Sequence, residues 1–73
     1  MNLNEFLSTM QKVNCNIDLE SISNETEIIK DLVLDSLEFV ELIMLLEKEK
    51  GFSFELYESK YQDYYVKNFL EFL

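Results

Sequence analysis

The sequence predicts an all-α fold: a four-helix bundle with three longer helices, one short helix and a long loop between the first two. Three observations favour this class. Apolar residues recur at helical spacing in separate stretches, and no pair of strand-like segments is present. The 73 residues, 48% of them hydrophobic, are enough for one small packed core. We therefore expect a single domain over residues 1–73.

The first helix is predicted over Leu3–Val13, where apolar residues lie three or four positions apart. Either Asn2 or Asn4 can cap its start. The following segment, Cys15–Leu34, has no sustained period but contains several apolar residues. We expect a long loop held against the bundle, with a short helical turn near Glu27–Leu32. Such a loop would deliver the start of the next helix to the surface.

The central helix is predicted to begin after Asp35, a good N-cap residue. Glu38 stands three positions further on and completes a capping box. The helix is expected to end where lysines precede Gly51. Ser36 then occupies the first helical position, with its hydroxyl in solvent. A serine at this position is commonly only a helix-start residue.

Two apolar sides are predicted on the central helix. One side is an ordinary core face made of Phe39, Leu42, Ile43 and Leu46. The other side points toward the surface and consists of Leu37, Val40, Glu41 and Met44. An exposed apolar stripe beside a carboxylate is typical of a docking surface. The alternative is that the apolar members of this stripe also belong to the core.

After Gly51 the sequence predicts a packed, extended connector, because its apolar residues alternate: Phe52, Phe54 and Leu56. A short third helix is predicted over Glu58–Tyr65, with its tyrosines turned inward. The last helix is predicted over Val66–Leu73, with its buried side made of Val66, Phe69, Leu70 and Leu73.

Fifteen acidic and six basic residues give a net charge of −9. This balance disfavours nucleic acids and anionic membrane surfaces, whose phosphates require clustered basic side chains. It favours partner proteins with basic patches, although solubility alone would also explain it. No apolar run is long enough to span a bilayer, and no N-terminal run combines basic residues with a continuous apolar stretch, so we expect no membrane insertion and a cytoplasmic location. We also expect a monomer.

Several kinds of chemistry are disfavoured by the residues present. The chain has no histidine, which excludes a hydrolase in which Ser36 is activated by a histidine. Glu38 and Glu41 are expected in solvent, without a concave site in which a carboxylate pair could act. A lone Cys15 has neither a disulfide partner nor a histidine for a zinc site, and it is predicted to be a small buried or half-buried hydrophobe. We therefore expect no enzyme.

The central stretch resembles the acyl and peptidyl carrier proteins. The matching residues are Asp35-Ser36-Leu37, Val40-Glu41-Leu42, Leu46-Glu47 and Gly51-Phe52, preceded by Asp31-Leu32-Val33-Leu34. The three-residue match alone would be weak. The following helix, the acidic balance and the chain length make the resemblance strong, and the order of the flanking segments fits across nearly the whole chain.

The resemblance implies that Ser36 carries a phosphopantetheine arm, derived from coenzyme A, through a phosphodiester. The thiol of the arm would carry the cargo as a thioester. Asp35 would belong to the attachment motif and help a transferase to bind its metal and substrate. A helix N-terminus is also electrostatically favourable for the negative charge of a phosphodiester.

The implied partners are a phosphopantetheinyl transferase, an acyl- or aminoacyl-loading enzyme, and downstream synthases or transferases with basic docking patches. The positions that match the docking residues of the family are Leu37, Val40, Glu41, Met44 and Glu47. Fatty acyl, polyketide, aminoacyl and D-alanyl cargoes all travel on this scaffold. The alternative function is a small acidic interaction module that needs only the exposed stripe and no covalent cofactor.

The chain departs from the family at several positions. Val33 stands where many relatives have glycine, and Lys48 stands where carriers of fatty acid synthesis usually have an acid. Phe39 and Leu45 are larger than the small residues frequent at those positions, and the proline that often starts the next short helix is missing. These departures favour a specialised biosynthetic pathway over a housekeeping fatty acid carrier.

Overall fold

The computed structural model describes residues Met1–Leu73 and contains four α-helices. They are α1 (Leu3–Val13), α2 (Ser36–Lys50), α3 (Phe54–Lys60) and α4 (Val66–Phe72). The predicted all-α, four-helix architecture with a long first loop is confirmed. The helix lengths differ from the prediction in one respect, because α3 and α4 each have only 7 residues. Two helices are therefore long and two are short.

Helix α1 begins where Asn2 caps it, because the Asn2 side chain accepts a hydrogen bond from the Glu5 N–H at 2.9 Å. Asn4, the other predicted cap, lies inside the helix. Phe6 and Met10 are fully buried, so the apolar face predicted for this helix is turned into the core. This face packs α1 against α2.

The long loop between α1 and α2 lies against the bundle, and two buried isoleucines, Ile22 and Ile28, anchor it to the core. A short 3-10 turn forms at Leu19–Ser21, and the predicted helical turn near Glu27–Leu32 is present. Cys15 is exposed, so the prediction of a buried or half-buried thiol was wrong. The reason is local: α1 ends at Val13, and Cys15 lies in the turn that leads the chain outward.

The third helix starts earlier than predicted, at Phe54 rather than Glu58. Ser53 caps it by accepting a hydrogen bond from the Leu56 N–H at 3.3 Å. Phe54 therefore belongs to a helix, and the predicted extended connector was wrong beyond Ser53. The alternation was misleading because Leu56, its third member, is exposed on the helix, while the inward position is taken by Tyr57.

The chain is not helical between Tyr61 and Tyr65, where the sequence predicted helix, and it bends at Gln62 and Asp63. Long-range backbone pairing explains this difference. Glu27 and Tyr65 form an isolated antiparallel bridge, in which the Ile28 N–H donates to the Tyr64 carbonyl at 3.0 Å. The predicted start of α4 at Val66 is confirmed, and the Val66 N–H donates to the Thr26 carbonyl at 2.9 Å.

Aromatic side chains fill much of the core. Tyr57 and Phe69 are fully buried and stack with ring centroids 4.5 Å apart. Burial raises the pKa of Tyr57, whose hydroxyl donates to the Asp63 carbonyl at 2.7 Å. The Tyr61 hydroxyl, by contrast, is buried without a hydrogen-bond partner. Tyr61, Tyr64 and Tyr65 are all half-buried, but only Tyr61 and Tyr64 pack against the core, so the predicted inward orientation is confirmed for those two and was wrong for Tyr65.

Candidate functional site

The start of α2 is fixed by two reciprocal hydrogen bonds. The Asp35 carboxylate accepts from the Glu38 N–H at 2.8 Å, and the Glu38 carboxylate accepts from the Asp35 N–H at 3.1 Å. The predicted capping box is therefore confirmed. Asn14, at the end of α1, donates to the second Glu38 oxygen at 3.0 Å. Glu38 is thus half-buried and engaged rather than free in solvent, and it joins the two long helices.

Ser36 is the first residue of α2 and is exposed. The capping box uses the N–H groups of Asp35 and Glu38, and the Phe39 N–H donates to the Asp35 carbonyl. The N–H groups of Ser36 and Leu37 have no acceptor within the protein. Two free donors therefore lie beside the Ser36 hydroxyl at the positive end of a 15-residue helix.

The outer face of α2 carries an exposed apolar stripe, made of Leu37, Val40 and Met44. Their side chains are 69%, 52% and 61% exposed, respectively. The predicted core face is buried on the opposite side: Phe39, Leu42, Ile43 and Leu46. The alternative that the stripe is further core was therefore wrong. Glu41 and Glu47 are exposed beside the stripe, so an apolar strip and carboxylates share one accessible surface.

A shallow apolar groove separates α2 from α3 and the Tyr64 ring. Its volume is about 360 Å³, and its lining residues are Phe39, Val40, Ile43, Met44, Glu47, Phe54 and Tyr64. Residues four and seven positions apart lie on one side of a helix, so Ser36 shares its side of α2 with Val40 and Ile43. The serine thus lies on the side of α2 that faces this groove, one turn before its first residues.

The turn before Ser36 is held by a buried carboxylate that the sequence did not reveal. Glu27 is only 4% exposed, and one carboxylate oxygen accepts from the N–H groups of Ile29 at 2.7 Å and Lys30 at 2.9 Å. The other oxygen accepts from the Tyr64 N–H at 3.5 Å. Glu27 therefore connects the loop before α2 to the segment before α4.

The same turn closes in a Schellman arrangement. The Val33 N–H donates to the Ile28 carbonyl at 3.1 Å, and the Leu32 N–H donates to the Ile29 carbonyl at 3.1 Å. This pattern places Leu32 in the left-handed region, with φ of 56°, where glycine is usual. Val33, at which many carrier proteins have glycine, is not the left-handed residue. Leu32 is also the most exposed apolar side chain of the chain, at 86%.

The carboxylates near the exposed stripe of α2 take part in none of the ion pairs of the chain. Lys12 bonds Glu49 at 2.8 Å and lowers the pKa of that carboxyl, and the hydrogen bond to Asp63 at 3.0 Å raises the pKa of Lys30. The remaining pairs are Lys50–Glu5 and Lys67–Glu25. None of the four pairs involves Asp35, Glu41 or Glu47, the carboxylates nearest the stripe.

Comparison of the chain with family models, curated proteins and solved structures finds no match. None of the helices has the length and apolar character required to cross a bilayer. The structure brings together no three cysteine or carboxylate side chains able to hold a metal ion. The observations that bear on function are therefore the sequence motif at Ser36 and the geometry of the surface around it.

Proposed function

We propose that the chain is a carrier protein that holds thioester-linked intermediates on a phosphopantetheine arm attached to Ser36. The observation that carries this proposal is the setting of the Asp35-Ser36-Leu37 motif. The serine is exposed at the first position of the longest helix, directly behind a capping box. An exposed docking stripe begins at the next residue, Leu37. The chain acts here as a substrate of enzymes and not as an enzyme.

The residues present fit the phosphodiester of such an arm. The free N–H groups of Ser36 and Leu37 can donate to phosphate oxygens, and the helix dipole favours their negative charge. The arm itself supplies a thiol that forms a thioester with the cargo. Asp35 keeps its carboxylate directed toward the helix backbone through the bond to the Glu38 N–H, which fixes the backbone that presents the serine.

Attachment transfers one group to Ser36. The serine hydroxyl oxygen forms a bond to the phosphorus next to the pantetheine portion of coenzyme A, the pyrophosphate bond breaks, and the adenosine bisphosphate portion leaves. The hydroxyl proton passes to a base of the transferase, because this chain has no histidine and its nearest carboxylates, Asp35 and Glu38, are engaged in the capping box.

Partner enzymes dock on the outer face of α2. Leu37, Val40 and Met44 offer an exposed apolar strip, while Glu41 and Glu47 offer carboxylates that no lysine of the chain neutralises. Their natural complement is a basic patch with an apolar centre. The transferase, the loading enzyme and the downstream synthases would share this face, since all of them must reach the same serine.

The test is intact-protein mass spectrometry after incubation with coenzyme A and a broad-specificity phosphopantetheinyl transferase. We expect the native chain to gain one phosphopantetheine and Ser36→Ala to gain none. Ser8→Ala is the matched control, since Ser8 is exposed on α1 and should not affect loading. Circular dichroism should show all three proteins folded, because the Ser36 hydroxyl makes no intramolecular hydrogen bond.

Loading of Ser36→Ala would contradict the assignment of the attachment site. Failure of the folded native chain to load with several transferases would contradict the carrier function. It would favour an acidic helical interaction module, which uses the same stripe of Leu37, Val40 and Met44 without a covalent group.

A further inference from the structure

Lys48 is the one lysine of the chain with no partner inside the protein. The chain has six basic residues, all lysines. Four of them form ion pairs with carboxylates. Lys60 has no acidic partner, but its ammonium group lies 5.4 Å from the centre of the Tyr61 ring. In a molecule with a net charge of −9, an unpaired cation is an exception that requires an explanation.

The position of Lys48 places this cation on the proposed docking face. Leu37, Glu41, Met44 and Lys48 recur four and three residues apart, so they form the outermost line of α2. Lys48 also lines a shallow surface groove of about 460 Å³ between α1 and α2, together with Glu41, Met44, Leu45 and Lys12. Lys12 is already paired with Glu49, which leaves Lys48 as the free cation there.

No ion pair within α2 accounts for this placement. The residues three and four positions before Lys48 are Leu45 and Met44, and those after it are Gly51 and Phe52, so no acid lies where a helical ion pair forms. A lysine in the last turn does complement the helix dipole. Lys50 meets that requirement as well, while also pairing with Glu5.

The outer line of α2 is therefore polarised. On this line Glu41 is an unpaired carboxylate and Lys48 an unpaired cation. Glu47 is also exposed and unpaired, but it lies about 100° around the helix from Lys48, on the side of Val40. Glu41 and Lys48 are seven residues apart, about 10 Å along the helix axis, a spacing at which exposed charges are felt separately by a partner in contact with the face. A partner that is basic throughout is attracted by Glu41 and repelled by Lys48 where it contacts this line.

We propose that Lys48 is a specificity-determining residue of the α2 face. The partner that fits is an enzyme with an apolar centre for Met44, basic side chains opposite Glu41 and a carboxylate opposite Lys48. Enzymes whose docking patch is basic throughout are disfavoured by the same lysine. This inference rests on the proposed carrier function and adds the chemistry by which the carrier chooses among enzymes.

The experiment measures kcat/KM for loading of Ser36 by a transferase whose carrier-binding surface is basic throughout. Lys48→Glu should raise kcat/KM by about threefold to tenfold at low ionic strength, because repulsion becomes attraction. The gain should fade as salt screens the charges. Lys48→Gln should give an intermediate gain and Lys48→Arg none.

Lys60→Glu is the matched control, because it makes the same change in net charge on α3, away from the outer line of α2. It should leave kcat/KM near the native value. Thermal melting distinguishes a structural role of Lys48 from a role in docking. Lys48→Glu places an acid at a helix C-terminus and should lower the melting temperature. A loss of stability would not explain faster loading.

The possible outcomes show which of the two proposals fails, the role of Lys48 or the carrier function. Equal gains for Lys48→Glu and Lys60→Glu would show an effect of net charge alone and overturn the role of Lys48. An unchanged or lower kcat/KM for Lys48→Glu, with normal loading of the native chain, would also overturn it. Absence of loading in the native chain would overturn the carrier function, and the specificity proposal with it.

Discussion

Two carboxylates bind the first N–H groups of a helical turn, and they do so in opposite surroundings. Asp35 is exposed and accepts one hydrogen bond, from the Glu38 N–H three residues on. Glu27 is buried and accepts three, from Ile29, Lys30 and the distant Tyr64. The first fixes only where α2 begins. The second fixes how the chain before α2 lies against the rest of the molecule.

The two carboxylates therefore have different roles: Asp35 keeps Ser36 accessible at the surface, and Glu27 holds the loop that leads to it. The exposed cap leaves the serine and its neighbouring N–H groups accessible, as attachment of a group requires. The buried junction around Glu27 makes the loop before the serine rigid, because the loop is bridged to Tyr65 and Val66 through the backbone. An accessible site thus stands on a fixed base, and changes in the two regions should have separate consequences.

The largest effect is expected from Glu27→Ala. The substitution removes the acceptor of three N–H groups, of which those of Ile29 and Lys30 lie closest, in a site shielded from water. Leaving such donors unsatisfied should lower the free energy of unfolding by about 3 kcal/mol. For a domain of this size that corresponds to a fall of about 15 °C in melting temperature, measured by circular dichroism.

Glu20→Ala is the control, because Glu20 is exposed in the same loop and its carboxylate has no hydrogen-bond partner. Its effect should stay within about 0.5 kcal/mol. Glu27→Gln should fall between the two, since the amide keeps an oxygen for Ile29 and Lys30 but turns a donor toward the Tyr64 N–H. Equal stability of Glu27→Ala and Glu20→Ala would show that the Glu27 carboxylate does not stabilise the loop before α2.

A smaller effect is expected at the exposed cap. Asp35→Ala should lower the free energy of unfolding by about 1 kcal/mol, because α2 loses its N-cap. Asp35→Asn should be nearly neutral in urea unfolding, since the amide oxygen can still accept from the Glu38 N–H. If the carboxylate charge also serves the transferase, Asp35→Asn should load more slowly than the native chain despite its stability. Destabilisation by Asp35→Asn as large as by Asp35→Ala would contradict the capping role.

The contrast between these two carboxylates also explains what could be predicted from the sequence. The two members of the capping box, Asp35 and Glu38, are only three positions apart, and the buried and exposed sides of α2 follow from one helical period, so both were predictable. The bond from Glu27 to Tyr64 joins residues 37 positions apart, and that from Asn14 to Glu38 joins residues 24 apart. No local pattern indicates such contacts.

The errors in the second half of the chain have the same origin. Residues 61–65 were predicted to be helical from their aromatic spacing, but their backbone pairs with the loop around Glu27, which no local signal announces. The alternation of Phe52, Phe54 and Leu56 predicts an extended connector. The helix forms instead because Ser53 caps it and turns Phe54 and Tyr57 toward the aromatic core.

The smallest expected effect concerns Leu32, which lies in the chain between the buried Glu27 and the exposed Ser36. Its left-handed backbone costs a non-glycine residue about 1 kcal/mol or more, and its side chain, 86% exposed, recovers little by packing. Leu32→Gly removes that cost but increases the entropy of the unfolded chain. We expect a net gain of about 0.5 kcal/mol in the free energy of unfolding, measured with urea.

Val33→Gly is the informative comparison, because glycine is frequent at this position in carrier proteins. Here Val33 does not have positive φ and packs partly against the core, so glycine should destabilise it through lost packing and added unfolded-state entropy. Opposite signs for the two substitutions would place the strained residue of the turn at Leu32. A loss of stability in Leu32→Gly as large as in Val33→Gly would mean that the exposed leucine makes contacts that offset its backbone strain, and that the boundary between support and site lies earlier in the chain.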